Sequence, residues 1–226
     1  MSLPTPAVIE FINAPVNAWL ARLESTLARH CRRHGLSVQF ERSQVEGVPA
    51  QLRLGGEDIA LAGLAKYPQA EMAELLRLRI ARSAGLSTIL FVCTGNAIRS
   101  QVAEALVNHF HQDRWAAFSA GTMPMAVTTD TVEVMEEIGI HLKGRFAKSV
   151  DLFRECRFDR VVILCSDAGT RCPVFPYSGP VDALHFDDPM AHDALSGAIH
   201  FGFKGQIRTL RKRMQTALQA YLEQAA

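Results

Sequence analysis

Residues 87–101 read Ser-Thr-Ile-Leu-Phe-Val-Cys-Thr-Gly-Asn-Ala-Ile-Arg-Ser-Gln, and this stretch decides how the second half of the chain folds. The apolar run from Thr88 to Val92 predicts a short strand that stops at Cys93. From about Arg99 onward, residues on one face recur at helical spacing. These positions are Val102, Ala105, Leu106, His109 and Phe110. The pattern is therefore a strand, a tight loop and a helix, with a thiol, a glycine and an arginine at the loop.

A loop of this kind favours the binding of an anion. Its successive backbone N–H groups form a concavity, and the free N–H groups and positive end of the following helix face the same point. The forked guanidinium of Arg99 suits a tetrahedral oxyanion. A free cysteine has a pKa of about 8.5, which such surroundings lower to roughly 3.5–7.5. We therefore expect Cys93 to be a nucleophilic thiolate beneath a bound oxyanion, and the alternative is a buried structural cysteine.

Val92 to Ser100 resembles the phosphate-binding loop of the low-molecular-weight protein tyrosine phosphatase superfamily. Within it, Arg-Ser-Gln at 99–101 with Ala-Glu at 103–104 resembles the thioredoxin-coupled arsenate reductases, whereas the phosphatases usually have Pro in place of Gln101. The resemblance covers residues 86–226. It implies an oxyanion-binding loop made of Thr94, Gly95, Asn96, Ala97, Ile98, Arg99 and Ser100. It also implies that Asn96 and Ser119 brace this loop and that Ser100 donates a hydrogen bond to the Cys93 thiolate.

The composition is that of a globular protein. The chain has 226 residues, 48% of them hydrophobic, and a formal net charge of +1, which gives no reason to expect a nucleic-acid partner. No apolar run approaches the ~20 residues of a membrane span, and the N-terminus lacks the basic start of a signal peptide. The chain has five cysteines, an odd number, and they are unevenly spaced. This pattern favours a protein of the reducing cytoplasm over a secreted protein with a disulfide framework.

Residues 1–85 are predicted to form a separate N-terminal domain, small and α+β or helical. Asn13-Ala14-Pro15 predicts the start of a helix whose apolar face includes Val16 and Cys31. Short alternating runs predict a small antiparallel sheet, and a second helix follows Pro68 and ends at Gly85. A dimerisation module, a docking surface and a regulatory domain all stay open as its role.

Residues 86–226 are predicted to form an α/β domain: a doubly wound, mostly parallel four-stranded sheet flanked by helices, as in low-molecular-weight phosphatases. Further strands are predicted at Trp115–Ser119, Arg160–Cys165 and Ala183–Phe186, a short helical turn at Ser149–Phe153, and helices at Val127–Ile138 and Gly202–Gln224. Cys93 and Cys165 then both lie at carboxyl ends of strands, where the sites of such sheets are found. Two thiols that are distant in sequence can therefore meet.

A second motif reads Cys-Ser-Asp-Ala-Gly-Thr-Arg-Cys-Pro at residues 165–173. Hydrolysis of a phosphate ester does not need Cys165 and Cys172, but a disulfide relay does, and their spacing and the following Pro match the reductases. Seven residues of helix span roughly 10 Å, whereas a disulfide needs Cα atoms within roughly 7 Å. A helical segment would therefore have to unwind before the two thiols could bridge. The alternative is two unrelated structural thiols.

The third motif is Asp187-Asp188-Pro189. In the superfamily the Asp before Pro is the general acid, which is Asp188 here. The phosphatases usually place a Tyr soon after this pair, whereas this chain has Met190-Ala191-His192, which disfavours an aryl phosphate substrate. The resemblance thus implies that arsenate is reduced to arsenite by Cys93, Cys165 and Cys172 in turn, with Arg99 and Asp188 assisting. Phosphate or sulfate would bind as mimics of arsenate.

Two positions depart from the pattern. Ile98 stands where many relatives have a second loop cysteine, which removes a dead-end partner for Cys93. Some relatives hold a potassium ion near the loop with an acidic residue in the stretch matching 145–149, where this chain has Lys148. We expect the ammonium group of Lys148 to replace that cation.

The eight histidines show no metal-ligand spacing, so we expect no metal, and we expect no tightly bound cofactor. The resemblance implies thioredoxin as the external reductant, while glutathione- and mycothiol-linked relatives keep those reductants open. Two alternative functions also stay open. One is a phosphatase that uses Cys93, Arg99 and Asp188 alone. The other is a non-catalytic fusion that senses oxyanions or redox state.

Overall fold

The computed structural model describes residues 6–166, 175, 178–190 and 201–225, and these form two compact units. One unit holds residues up to 87 with 112–116, and the other holds 88–111 with the residues from 117 onward. The strands are β1 (Ala7–Ile12), β2 (Val38–Ser43), β3 (Gln51–Leu54), β4 (Glu57–Ala60), β5 (Ser87–Cys93), β6 (Trp115–Gly121), β7 (Arg160–Ile163) and β8 (Val181–Ala183). The helices are α1 (Ala18–Arg33), α2 (Leu61–Leu64), α3 (Gln69–Ser83), α4 (Arg99–Phe110), α5 (Thr129–Glu136) and α6 (Phe201–Ala225), with a 3-10 turn at Val150–Phe153.

The sheet of the N-terminal unit has the strand order β2-β1-β3-β4 and is mixed. Strand β1 runs parallel to β2 and antiparallel to β3, and β3 pairs antiparallel with β4. The prediction of a purely antiparallel sheet between two helices is therefore wrong, because it missed β1. This strand alternates apolar and polar residues only briefly before Phe11 and Ile12, both of which are fully buried. The strand reads Ala-Val-Ile-Glu-Phe-Ile and has Glu10 as its one polar residue, so the sequence alternation that marks a half-exposed strand is weak here, although Val8 is exposed.

Helix α1 begins later than predicted, and a different asparagine caps it. The side chain of Asn17 accepts a hydrogen bond from the backbone N–H of Leu20 at 2.9 Å, as an N-cap residue does. Asn13 has φ +51° and instead binds the backbone of Val45 and Val48. Val16 therefore precedes the helix and is 86% exposed rather than on its apolar face, whereas Cys31 is fully buried there as predicted.

The second sheet has the strand order β6-β5-β7-β8, and β5, β7 and β8 are parallel. The predicted α/β class with a four-stranded sheet and flanking helices is confirmed. Strand β7 ends at Ile163, two residues before Cys165. Strand β8 spans Val181–Ala183 rather than Ala183–Phe186. Beyond its end, the amides of Leu184 and Phe186 still donate to the backbone carbonyls of Ile163 and Leu164.

Helix α6 closes this unit by packing against α4 and α5. Its buried stripe is Ile207, Leu210, Met214, Leu218 and Leu222. Tyr221, predicted on this stripe, is half-buried and donates a hydrogen bond from its hydroxyl to Asp182 at 2.5 Å. Within the described parts of the chain, no helix is long and apolar enough to cross a membrane.

Candidate functional site

The site is built on the turn between β5 and α4. Strand β5 is buried along almost its whole length and ends at Cys93, which is 2% exposed. Helix α4 begins at Arg99, so residues 94–98 form the loop between them. Ala97 and Ile98 are buried, whereas Thr94 and Gly95 are partly exposed. The predicted loop residues thus lie at the carboxyl end of a parallel strand and the N-terminus of a helix, where backbone N–H groups suit an anion.

The thiol of Cys93 is held by two neighbours. Its Sγ lies 3.0 Å from Ser100 Oγ, and the backbone N–H of Asn96 donates to it at 3.3 Å. Burial raises the pKa of the Cys93 thiol, while the Ser100 hydroxyl, the Arg99 charge and the Asn96 N–H act in the opposite direction. The expectation of an easily ionised thiol is therefore contradicted. Burial is the larger effect, and the guanidinium of Arg99 is already engaged by a carboxylate at 2.6 Å.

Asn96 ties the loop together. It is fully buried and has φ +47°, a left-handed conformation that Asn tolerates better than most residues. Its Nδ2 donates to Ser100 Oγ at 2.8 Å, and its Oδ1 accepts from Gln101 Nε2 at 3.0 Å and from the backbone N–H of Lys148 at 2.7 Å. The sequence marks Gln101 only as a departure from the phosphatases, whereas in the structure its side chain supports the loop through this hydrogen bond to Asn96.

Replacing Ser100 with alanine is expected to raise the pKa of Cys93 further, because the mutant loses a hydrogen bond that favours the thiolate. Only the thiolate reacts with an alkylating agent, so the alkylation rate rises with pH until the pH passes the pKa. In the Ser100→Ala variant this rise should move to higher pH, with slower alkylation at neutral pH. Iodoacetamide labelling of Cys93, followed by peptide mass spectrometry, measures the profile. The exposed Ser25→Ala change is the matched control, and identical profiles for both variants would contradict the role of Ser100.

Arg99 and Asp188 meet at the mouth of the loop. The Nη2 atom of Arg99 lies 2.6 Å from Asp188 Oδ2, and its Nη1 donates to the carbonyl of Phe186 at 3.3 Å. The other oxygen of Asp188 accepts from the backbone N–H of Met190 at 3.0 Å. The segment after β8 thus places the carboxyl group predicted as the general acid next to the guanidinium predicted to hold the oxyanion.

The segment 121–125 supports the loop from its other side. The amides of Thr122, Met123 and Met125 donate to the carbonyls of Cys93, Thr94 and Gly95, respectively. The backbone of Gly121 comes so close that a Cβ there would lie 2.7 Å from the Thr94 oxygen and 2.9 Å from the Asn96 nitrogen. Both atoms are backbone atoms that cannot move without reshaping the loop.

A Gly121→Ala substitution is therefore expected to destabilise the protein by about 1–3 kcal/mol and to reduce oxyanion binding, because the added methyl group displaces residues 94–96. Thermal unfolding and phosphate titration measure the two effects. Gly205→Ala is the matched control, since a Cβ at this position on α6 would meet no atom within 4 Å. The argument fails if both variants unfold at the wild-type temperature and bind phosphate equally well.

Cys165 lies beside the loop. Its Sγ is 3.4 Å from Thr94 Oγ1, and its side chain is buried. The topology explains this placement, because β7 lies next to β5 and the chain leaves both strands at the same edge of the sheet. Cys172, predicted as the third thiol, lies outside the described residues.

Behind the loop, Glu104 gathers several polar groups that the sequence did not single out as a cluster. Ser119 Oγ donates to Glu104 Oε2 at 2.5 Å, and Lys148 Nζ lies 3.1 Å from the same oxygen. Arg145 Nη1 lies 3.2 Å from Glu104 Oε1. Ser119 was predicted to brace the loop, and the hydrogen bond described for its hydroxyl goes to this carboxylate on α4. Nothing in the local sequence around Arg145 signals its place here. In the part of the chain that the structure describes, no three His, Cys, Asp or Glu side chains are arranged to hold a metal ion.

The fold and this loop define a class of protein. The family described as low molecular weight phosphotyrosine protein phosphatase matches residues 88–220, which is more than half of the chain, and the protein belongs to this family. Two similar relatives are arsenate reductases. Arsenate reductase 2 of Staphylococcus epidermidis is 38% identical over 102 residues, covering 45% of this chain and 78% of the relative. The arsenate reductase of Shouchella clausii is 36% identical over 101 residues, covering 45% of this chain and 73% of the relative.

Solved structures show the same fold. An arsenate reductase in its oxidized state superposes with a TM-score of 0.52 at 22% sequence identity, covering 62% of this chain and all (100%) of that one. An arsenate reductase in a phosphate-binding state gives a TM-score of 0.51 at 21% identity, with the same 62% and 100% coverage. The predicted resemblance of the C-terminal region is confirmed.

Proposed function

We propose that the protein reduces arsenate to arsenite through Cys93, Cys165 and Cys172 and is then reduced by thioredoxin. The names of its relatives support the reaction, since arsenate reductases match its site-bearing region at 36–38% identity. The observation that carries the proposal is the 3.4 Å contact between Thr94 Oγ1 and Cys165 Sγ. It places a second buried thiol against the loop that holds Cys93, where ester hydrolysis has no use for it.

In the first step, arsenate binds against the loop amides and Arg99. The Cys93 thiolate attacks arsenic and forms a sulfur–arsenic bond, and Asp188 gives its proton to the departing hydroxide, which leaves as water. The 2.6 Å contact between Arg99 and Asp188 supports only their proximity, since it puts the carboxyl group beside the guanidinium that is to hold the oxyanion. Ser100 Oγ and the Asn96 N–H stabilise the thiolate against its buried surroundings.

In the second step, the Cys165 thiolate attacks the sulfur of Cys93. A Cys93–Cys165 disulfide forms, the sulfur–arsenic bond breaks, and its electron pair stays on arsenic, which leaves as arsenite. Cys172 then attacks Cys165, frees Cys93 as a thiolate and leaves a Cys165–Cys172 disulfide. Each exchange needs the attacking group as a thiolate with access to the sulfur it attacks. The hydroxyl of Thr94 lies within hydrogen-bond distance of Cys165 Sγ and thereby ties this thiol to the loop.

The relay requires reduced thiols between turnovers, which places it in a reducing compartment such as the cytoplasm. Thioredoxin suits a disulfide between two cysteines of one chain, since a dithiol resolves such a bond without a mixed-disulfide product left over. Glutathione or mycothiol as the reductant would instead make the reaction depend on a low-molecular-weight thiol.

Thiol counting tests the reaction. The reduced protein treated with one equivalent of arsenate should lose two free thiols and release one arsenite. In a second assay, arsenite release should continue when thioredoxin, its reductase and NADPH are added, and Cys172→Ser should remove this recycling. Release without thiol loss would overturn the relay. Turnover with glutathione or mycothiol but not with thioredoxin would overturn the choice of reductant.

Phosphatase activity is the second candidate, because Cys93, Arg99 and Asp188 would also serve phosphomonoester hydrolysis through a cysteinyl-phosphate intermediate. The contact between Arg99 and Asp188 at the mouth of the loop that holds Cys93 supports some hydrolysis of a small phosphate ester. The residue that follows Asp188-Pro189 is Met190, which is 40% exposed and offers no aromatic ring to a phenol. Hydrolysis that is unaffected by Cys165→Ser and exceeds arsenate reduction in the same preparation would favour this reading.

A further inference from the structure

The outward-facing side of α1 carries a row of residues at the spacing used when two helices pack together. These residues, which we call the outer seam, are Trp19, Arg22, Thr26, Arg29 and Arg33. Each residue of a helix turns by about 100°, so steps of three and four residues keep the outer seam within a stripe about 80° wide. Its three arginines are exposed, and Trp19 and Thr26 are half-buried. The outer seam therefore runs nearly the whole length of the helix.

The other side of α1 holds the helix in the N-terminal unit. Leu20, Leu23, Leu27 and Cys31 are buried on that side, and α1 packs against α3. Because these apolar residues supply the packing of the helix, the arginines of the outer seam are not needed for it. They project from the surface of the unit, where a second molecule can reach them.

The arginines of the outer seam have no opposite charge beside them. Among the described residues, no carboxylate oxygen lies within 4.0 Å of a side-chain nitrogen of Arg22, Arg29 or Arg33. Three other exposed arginines of the unit are paired: Arg42 with Glu24, Arg53 with Asp58, and Arg79 with Glu57. Glu24 is the one acidic residue of α1, so the helix offers its own arginines no further carboxylate. Arg29 and Arg33 also stand four residues apart, where like charges on a helix repel each other.

The helix dipole explains only part of this charge. Basic residues in the last turn interact favourably with the negative end of a helix, and Arg33 is one of them. Arg22 and Arg29 lie before the last turn, and the effect of the dipole falls off within that turn. These two arginines therefore call for another explanation than the stability of the helix.

The composition of this surface is that of a protein–protein interface. Residues 1–87 contain nine arginines and one lysine, and Arg is enriched at such interfaces whereas Lys is depleted. Trp and Arg are also the residues that most often dominate the binding energy of an interface. Trp19 lies at one end of the outer seam, and Val16, which is 86% exposed, precedes it by three residues. An apolar end and a basic remainder thus share one face.

We infer that the outer seam docks an acidic amphipathic helix of a partner protein. Carboxylates at steps of three and four residues on that helix would each face an arginine of the outer seam, and Arg binds carboxylates in a forked geometry. Trp19 would pack against an apolar side chain at the same end of the partner helix. The inference concerns the N-terminal unit alone, so it goes beyond the proposed reaction and does not depend on it.

Two other anionic partners fit this unit less well. Residues 1–87 contain eight acidic residues beside their ten basic ones, so the unit lacks the strong excess of positive charge that marks a nucleic-acid-binding domain. A helix that lies on a membrane buries its apolar face among the lipids. The apolar face of α1 is already buried in the unit.

Peptide binding to the full chain tests the inference. The probe is a fluorescein-labelled, alanine-based helical peptide about four turns long, with glutamates and one leucine at steps of three and four residues. A second peptide has the same composition, but its glutamates are spread around the helix. The wild-type protein should bind the first peptide roughly tenfold more tightly than the second in fluorescence anisotropy, about the effect of one hydrogen bond to a charged group. Equal affinities would overturn the inference.

Matched variants separate the outer seam from net charge. The seam variant carries Arg22→Gln, Arg29→Gln and Arg33→Gln. The control variant removes the same number of charges from paired, exposed positions of the same unit, with Arg42→Gln, Arg53→Gln and Arg79→Gln. Thermal unfolding should show that both variants fold, because all six positions are exposed. The seam variant should bind the first peptide at least about tenfold more weakly, and the control variant should bind it as the wild type does. An equal loss in both variants would mean that only net charge acts, and the inference would fail.

Trp19 reports docking in the unaltered protein. The chain has two tryptophans, and Trp115 is only 3% exposed, so acrylamide should quench mainly the fluorescence of Trp19. The first peptide, used without its label, should protect Trp19 from acrylamide, whereas the second peptide, phosphatidylserine vesicles and a DNA duplex should not. Binding of the first peptide without this protection would overturn the inference. Equal protection by the vesicles or by the duplex would overturn it as well, since the outer seam would then take a lipid surface or a nucleic acid.

Discussion

Replacing Cys165 with serine is expected to abolish arsenite release, a loss on the order of 10⁴-fold or more, as for removal of a nucleophile. A hydroxyl group in this position cannot attack the sulfur of Cys93, so the reaction stops at the adduct between Cys93 and arsenic. Binding of the oxyanion should survive, because Cys165 contacts Thr94 Oγ1 and none of the groups that hold Cys93. Chromatographic separation of arsenite, with phosphate protection of Cys93 measured in parallel, tests both halves of the expectation.

Cys156→Ser is the control for this variant. It makes the same chemical change at a half-buried cysteine that follows the 3-10 turn, and it should leave arsenite release unchanged. If Cys165→Ser released arsenite as fast as Cys156→Ser, the proposed thiol relay would be contradicted. That result would favour a phosphatase as the function of the site, because the contact between Thr94 and Cys165 would have no catalytic consequence.

Replacing Arg99 with lysine is expected to lower kcat/KM by about 10²–10³-fold, the typical cost of removing one fixed donor to a developing charge. The guanidinium serves two directions at once, toward the carbonyl of Phe186 and toward Asp188 Oδ2. A lysine ammonium is a point charge and cannot reproduce this fork. The loss should appear both as a higher KM for arsenate and as a lower kcat, because binding and positioning of the acid fail together. Steady-state kinetics over a range of arsenate concentrations separates the two.

Arg208→Lys provides the comparison. Arg208 also forks onto a carboxylate, that of Glu137, but both side chains lie on the surface. An exposed pair of this kind contributes little, so this variant should keep wild-type kinetics. Equal kinetic effects at the two positions would mean that the site does not use the geometry of Arg99.

How much of the fold the sequence predicts depends on how each element is buried. The run before Cys93 and the run Val161 to Leu164 predict strands because continuous apolar stretches suit a parallel sheet. Strand β1 escapes prediction for another reason: Glu10 is its one polar residue, so its polar–apolar alternation is too short to detect beside two prolines, Pro4 and Pro6. The sequence also does not predict which asparagine caps α1. Asn13 and Asn17 are equally good N-cap residues, and only tertiary contacts decide between them.

The candidate site divides in a similar way. Cys93, Arg99 and Ser100 stand in one short motif, so their proximity follows from a strand, a loop and a helix. Cys165 and Asp188 can be placed near them because parallel strands end at one edge of a sheet. The raised pKa of Cys93 could not be predicted from the motif, because it depends on how deeply the folded protein buries the thiol. The cluster at Glu104 also escapes, since its members come from separate segments.

The buried Cys31 gives the N-terminal unit an alkaline limit. Desolvation on α1 raises the pKa of this thiol from its ordinary value of 9.0 to about 12, against the opposing charge of Arg77. The folded chain therefore keeps the proton above pH 9, where the unfolded chain releases it. The stability that Cys31 contributes is fully present below that pH and is lost as the pH rises toward 12. Strong alkali is therefore expected to destabilise the N-terminal unit through a buried thiol that is not one of the cysteines of the candidate site.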